Sequence, residues 1–329
     1  MGRRFFATAS LALALVLSGG VPSAVGAPIP ALPRPGGPAT VVSVDELTPT
    51  RSALFIDSPA MGRIVQVQVL HPASEGPRPS FYLLDGVDST DDESSWTKKT
   101  DIVDFVAGKN VNVVLPVGGM ASYYTDWQKA DPALGVNMWE TFLTKELPPI
   151  IDGEMNGNGV RAIGGLSMGG QAALILTSRN PDLYRGSFVF SACPDTGSPA
   201  SQNLVRVTVA SRGGDATNMW GPASDPDWQA HDPWTNAERL RGKVLYMSVG
   251  NGVPGNNDFQ GDIDAATVLS EGAPLEVGAL ICTKEFQSRL DSLGIPAQFV
   301  YRPIGTHSWP YWQDDLHDSW PTIERALTS

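Results

Sequence analysis

The stretch RAIGGLSMGGQAALILTS (161–178) decides the architecture. Arg161 to Leu166 is a short apolar strand, and Gln171 to Ser178 is free of helix breakers. Between them Gly165-Leu166-Ser167-Met168-Gly169 spells G-x-S-x-G, the pattern of a sharp strand-to-helix turn that lifts a serine oxygen above a sheet edge. The glycines permit strained backbone and close packing. The helix start behind the serine supplies free N–H groups and positive potential. A glycine-rich helix start with a capping serine has the same letters. The strand directly before it favours the turn that exposes a nucleophile.

Outward from this unit the chain alternates strand-like and helix-like segments. Residues 63–70 (RIVQVQVL) alternate with period two, as a half-exposed strand near a sheet edge does. Residues 81–84 and 111–115 are short apolar runs stopped by Asp85-Gly86 and by Pro116, as buried parallel strands are. A helix is expected over 138–151, strands over 187–192, 243–249 and 297–301, a helix over 276–293, and a terminal helix over 312–327. This order implies a mostly parallel sheet flanked by helices on both faces.

The 329 residues carry 35 acidic and 23 basic side chains, a formal charge of -12 that disfavours nucleic-acid partners. An apolar share of 42% suffices for a sizeable core. Nine tryptophans suggest a binding cleft, where this side chain often lies. Two cysteines and four histidines exclude a finger-type zinc site and a disulfide-dense scaffold. Arg3 and Arg4, the apolar run 5–17 and the small residues Ala24-Val25-Gly26 read as an export signal over 1–26, too short to span a bilayer. Arg3-Arg4-Phe5-Phe6 also suits a twin-arginine route. Residues 27–40 are a Pro/Gly-rich lead-in and 41–329 a single domain with no further apolar segment of spanning length.

A serine nucleophile needs a base and a group that orients the base. His71, His231 and His317 lie in a Pro/Ser loop, before Asp232-Pro233, and in the terminal helix. His307, in GTHSW (305–309) after the last strand, occupies the place expected of the base in an α/β-hydrolase. The acid should lie between Val249 and Ala297, where Asp258, Asp262, Asp264, Glu271 and Glu276 all qualify. Glu276 also suits a first helical turn. The oxyanion needs two N–H donors, for which Met168 and, after the strand 81–84, Val87 are the candidates.

The segments SPAMGR (58–63), LLDG (83–86), NVVLPVGG (112–119), SYYTDW (122–127), WETFLTKELP (139–148), GGLSMGG (164–170), NMWGP (218–222), HDPW (231–234) and GTHSWPYW (305–312) resemble the secreted mycolyltransferases, the antigen 85 proteins and, more closely, corynebacterial-type enzymes. The resemblance runs in order over nearly the whole chain. It implies an α/β-hydrolase fold without a separate lid domain, Ser167 as nucleophile, His307 as base and Glu276 as acid. It also implies Val87 and Met168 as oxyanion donors, and Asp85 and Trp309 as lining of a carbohydrate pocket. The implied reaction moves a mycolyl chain from trehalose monomycolate to a second sugar hydroxyl, on trehalose or cell-wall arabinogalactan, in the secreted or cell-envelope compartment. No metal or organic cofactor is called for.

The sequence departs from that family in three places. Asp88 stands where the family has an arginine, and Lys99 where it has an asparagine of the sugar site. A carboxylate at 88 can only accept hydrogen bonds from sugar hydroxyls, which inverts the donor–acceptor pattern at this edge of the pocket. The family's usual cysteine pair is absent; Cys193 and Cys282 instead form a pair that export would allow to oxidise. The rival readings are a carboxylesterase with water as acceptor, and a non-catalytic surface binding protein on the same fold.

Overall fold

Nine strands form one sheet in the order β1-β2-β3-β5-β4-β6-β7-β8-β9. They are β1 (Thr40–Thr48), β2 (Arg51–Ser58), β3 (Arg63–Leu70), β4 (Arg78–Leu84), β5 (Asn112–Pro116), β6 (Gly157–Leu166), β7 (Gly186–Phe190), β8 (Val244–Val249) and β9 (Gln298–Tyr301). The structure is a computed structural model and describes residues 37–259 and 264–328. The export signal expected over 1–26, most of the lead-in and the candidate acid Asp262 lie outside these residues. Pairing is antiparallel through β1, β2, β3 and β5, and parallel from β5 across β4 and β6 to β9.

The expected strand over 63–70 has the bounds of β3 but not its place. It lies third from the edge, and Val67, Val69 and Leu70 are buried. The cause is the β1–β2 hairpin, unread in the sequence because β1 is exposed along nearly all its length and so shows no alternation.

The helices that position the site are α1 (Ser95–Lys99), α2 (Leu147–Glu154), α3 (Ser167–Arg179), α4 (Pro199–Ala210), α5 (Ala273–Leu293) and α6 (Trp309–Thr328). Nearly every side chain of α3 is buried, so it is a helix enclosed on all sides beside the sheet. α6 packs its apolar stripe, including Trp312, Leu316, Trp320 and Ile323, over the sheet's other apolar cluster. Trp96, Trp127, Trp139, Trp220 and Trp228 are fully buried. Five of the nine tryptophans therefore build the core and do not line a cleft.

Among the described residues one helical segment, Ala265–Leu293, is long and apolar enough to cross a membrane, contrary to the sequence expectation of none. In this fold it is a flank of the sheet: Ala279, Phe286 and Leu290 are buried, the last two within the cluster that includes Leu245 and Met247 of β8.

Candidate active site

β4, β6, β7, β8 and β9 run parallel, so the segments following them gather at one edge of the sheet. That edge carries Asp85 to Val87 after β4, Ser167 after β6, Ser191 after β7, Gly250 after β8 and His307 after β9. A cavity of about 230 Å³ lined by Ser52, His71, Pro72, Arg78 and Met155 lies at the opposite edge, near the starts of β4 and β6.

Ser167 has φ of 51°, in the left-handed region where a non-glycine residue is strained. Its neighbours explain how the chain holds it there. A Cβ on Gly165 would come within 2.6 Å of the Gly169 carbonyl carbon, and one on Gly86 within 2.7 Å of Leu166 Cδ1. Only backbone fits on both sides of the turn, so strand, elbow and the Asp85-Gly86 turn close on each other. A Cβ on Gly86 would also lie 3.9 Å from Ser167 Cβ, so the turn that leads into Val87 runs beside the serine. Met168 sits in the first turn of α3, and its Sδ accepts the Tyr123 N–H at 3.4 Å. The Val87 carbonyl accepts the Ala121 N–H at 3.2 Å. Ala121, Tyr123 and Tyr124 all have positive φ, so the segment backing both oxyanion candidates is itself strained.

His307 Nδ1 lies 2.9 Å from Glu276 Oε2. The other carboxylate oxygen, Oε1, accepts from Ser191 Oγ at 2.8 Å, the Gly250 N–H at 2.5 Å and Arg302 Nη2 at 3.3 Å. Glu276 is completely buried, a position a charge tolerates when this densely bonded. Arg302 also pairs with Asp315 at 2.5 Å, and burial pushes the Asp315 carboxyl up to about 7 despite that arginine. Trp312 Nε1 donates to Ser191 Oγ at 3.0 Å, and its ring meets the His307 ring edge-on at 4.9 Å.

The other histidines have structural partners. His71 bonds Ser52, His231 bonds the Asp227 carbonyl and stacks on Trp220, and His317 bonds Asp101 and stacks on Phe105. Among the described residues three competing acids lie elsewhere; Asp262 lies outside them. Asp264 caps a helix start by accepting the Thr267 N–H, and Glu271 is exposed. Asp258 is buried and accepts from Thr306, Ser308 Oγ at 3.1 Å and Tyr311 Oη at 2.8 Å. It therefore clamps the loop on both sides of His307 without touching the imidazole, a role the sequence gave no sign of.

Asp85 is 1% exposed, and its carboxylate faces the start of α1, accepting the Ser95 N–H at 3.0 Å and Ser94 Oγ at 3.3 Å. Burial pushes it up to about 7, against these bonds and the charge of Lys99. Lys99 Nζ stands 5.2 Å over the Trp309 ring, which packs edge-on against Trp96 and Trp312. Asp85, Lys99 and Trp309 thus form one cluster.

Asp88 requires a correction. The edge does not carry an acceptor alone: Arg212, just beyond α4, binds Asp88 Oδ1 through Nε at 2.7 Å and through Nη2. A guanidinium thus stands at the edge where the sequence showed only a carboxylate. Cys193 and Cys282 are disulfide-bonded, with Cα atoms 4.9 Å apart. The bridge ties α5, six residues beyond Glu276, to the segment after β7 that supplies Ser191.

The fold and this edge define a hydrolase-type protein with an α/β-hydrolase architecture. The model of the family described as "Putative esterase" matches residues 58–323, and the chain belongs to that family. The chain is 33% identical to diacylglycerol acyltransferase/mycolyltransferase Ag85A of Mycobacterium leprae, covering 92% of this chain and 87% of the relative. It is 35% identical to Ag85B of Mycolicibacterium smegmatis over 89% of this chain and 90% of the relative. Among solved structures, Mycobacterium tuberculosis MPT51 superposes with a TM-score of 0.71 at 24% identity, covering 89% of this chain and all of that one. An S-formylglutathione hydrolase from Agrobacterium tumefaciens superposes at 0.63 with 16% identity, covering 86% and 98%. These last two speak for the fold alone.

Proposed function

We propose that this protein is an exported acyltransferase that moves a long acyl chain, of mycolyl type, from trehalose monomycolate to a second sugar hydroxyl through an acyl-Ser167 intermediate. The single observation that carries the reading is the buried Glu276–His307 pair at the sheet edge that also presents Ser167 on a left-handed turn. The names of the Ag85 relatives supply the acyl class.

In the first half-reaction His307 Nε2 takes the Ser167 proton while Oγ attacks the donor ester carbon. The carbonyl π-electrons move to the oxygen, which the Met168 and Val87 N–H groups receive. Collapse of the tetrahedral species breaks the ester C–O bond, and His307 returns the proton to the departing sugar oxygen. An acceptor hydroxyl then attacks the acyl-serine carbonyl carbon while His307 takes its proton, and collapse breaks the bond between the acyl carbon and Ser167 Oγ as His307 returns the proton to that oxygen. Glu276 keeps the Nδ1 proton pointing at itself, so Nε2 stays free to accept, and it stabilises the imidazolium.

Residues 1–26 serve as export signal, 27–40 as lead-in and 41–329 as the catalytic unit. The compartment is the cell envelope or medium. Asp85, Lys99 and Trp309 line the sugar side. The acceptor is trehalose or arabinan. The test is mass analysis of the lipids made from trehalose monomycolate with each acceptor. Formation of dimycolate or mycolyl-arabinan supports transfer. Release of free acid alone, unchanged by sugar, assigns a hydrolase.

A further inference from the structure

The helix that carries Glu276 has two unlike halves. Over 265–283 its exposed large side chains are apolar: Leu269 (60% exposed), Leu275 (47%), Val277 (42%) and Ile281 (54%). Glu271 is the one exposed charged residue in that half. From Lys284 onward the same side reverts to an ordinary solvated face, with Lys284, Glu285 and Asp291 exposed. A soluble helix bundles its apolar residues inward, yet only 17% of the most apolar stretch here is buried. Neighbouring loops extend the surface. Val253 and Ile304 are 52% and 49% exposed, the Gly305 N–H donates to the Val253 carbonyl at 2.8 Å, and a Cβ on Gly252 would lie 2.5 Å from Val277.

This surface adjoins the candidate site. The helix turns Glu276 inward while turning Leu275 and Val277 outward, and the Gly272 carbonyl accepts the His307 N–H at 3.1 Å. We propose that the outer face of Leu269 to Ile281, with Val253 and Ile304, docks on a layer of uncharged acyl-sugar lipid. The proposal rests on the acyl-transfer reading for the lipid class. Charge selects the occupant. Helices that lie on anionic bilayers carry lysine and arginine on their polar face; this half-helix has neither, and the chain bears a net charge of -12. An anionic headgroup layer would repel it, whereas a layer of sugar hydroxyls over acyl chains offers apolar contact without a charge penalty. The acid lies on the inner side of the same helix and the base in the loop tied to the Gly272 carbonyl, so a docked layer lies beside the loop of His307.

The test is flotation of the exported protein with phosphatidylcholine vesicles containing a synthetic trehalose diester, and with vesicles in which phosphatidylglycerol replaces the diester. Binding to the first should persist at about 1 M salt, where charge contacts are screened, and binding to the second should be weaker. The double substitution Val277→Asp and Ile281→Glu should lower partitioning about ten-fold or more. Gly278→Asp should act in the same direction with the fold kept, because a Cβ there meets nothing within 4 Å. Val42→Asp, an exposed apolar position on the opposite edge strand, should change nothing. Absence of wild-type flotation, stronger binding to the anionic vesicles, or full retention by both α5 variants would overturn the proposal. So would a lipid-free dimer that the variants convert to monomer, since the face would then belong to a second copy. Flotation is read without turnover, so its failure leaves acyl transfer standing, and failure of transfer with flotation intact leaves docking standing.

Discussion

Replacing Glu276 with glutamine changes one oxygen to an NH₂ group, and the bonds around the carboxylate decide where that group goes. Oε1 accepts from three donors, Ser191, Gly250 and Arg302, whereas Oε2 faces only His307. An NH₂ in the Oε1 position would oppose the Gly250 N–H and the guanidinium, so the amide nitrogen takes the Oε2 position. It then donates to His307 Nδ1 and moves the imidazole proton to Nε2, the nitrogen that receives the serine proton in the proposed reaction. Geometry survives while the tautomer is wrong. For other triads this costs on the order of 10²–10⁴ in turnover, about 3–5 kcal/mol of barrier. The assay is steady-state turnover of a soluble short-chain ester alongside acyl transfer, with thermal unfolding as a control. Glu276→Gln should lose both activities by the same factor. Asp258→Asn should mainly loosen the loop around Thr306 and Ser308, lowering stability by about 1–3 kcal/mol with a smaller loss of turnover. A Glu276→Gln enzyme within a few-fold of wild type, beside an Asp258→Asn enzyme that is inert, would refute the reasoning.

Cys193→Ser with Cys282→Ser should lower stability by about 2–4 kcal/mol, since the bridge spans 89 residues; denaturant titration reads this, and a loss under about 1 kcal/mol would contradict it. Asp85 and Asp315, both raised by burial to about 7, bind protons in the folded state that the unfolded chain has released. Stability should therefore fall by a few kcal/mol as pH rises from about 4 to about 7, then level off, and Asp85→Asn should flatten that slope; a wild-type profile rising over this range would refute it. For Glu140, burial acts upward but is outweighed by His231, Arg179 and Asn180, which hold it at about 2, so its contribution is present at neutral pH and lost as pH falls from about 4.5. The Asp88–Arg212 pair is exposed, so Asp88→Ala or Arg212→Ala should cost no more than about 1 kcal/mol of stability. Asp88→Ala should nevertheless shift trehalose half-saturation by a few-fold, and identical saturation curves would remove the pair from the sugar side.

What was legible in the sequence is what is local. The elbow is written in consecutive residues, because the glycines at 165 and 169 and the strand before them act on Ser167 directly. His307 could be placed by its loop after the last strand. The acid could not be chosen from five carboxylates, because the choice depends on which of them α5 and the β8 edge bring to His307 Nδ1; resemblance to a family pointed to Glu276, not any pattern around it. The guanidinium beside Asp88 was not legible because Arg212 lies 124 residues away. The tryptophans misled because composition counts side chains without saying which face they occupy. The apolar half of the segment Ala265–Leu293 was unread for the opposite reason: Gly272, Pro274 and Gly278 break its periodicity, and only the continuous helix shows it as a surface.

The proposed reaction passes through a covalent acyl chain on Ser167 that moves to a sugar. Intact-protein and peptide mass spectrometry after rapid mixing with a trehalose monoester measures it most directly. One added acyl mass is expected on the peptide containing Ser167, absent in Ser167→Ala, and discharged on adding trehalose with equimolar formation of the diester. An adduct on another residue, no adduct under conditions of rapid turnover, or discharge to free acid at the same rate with and without sugar would contradict it.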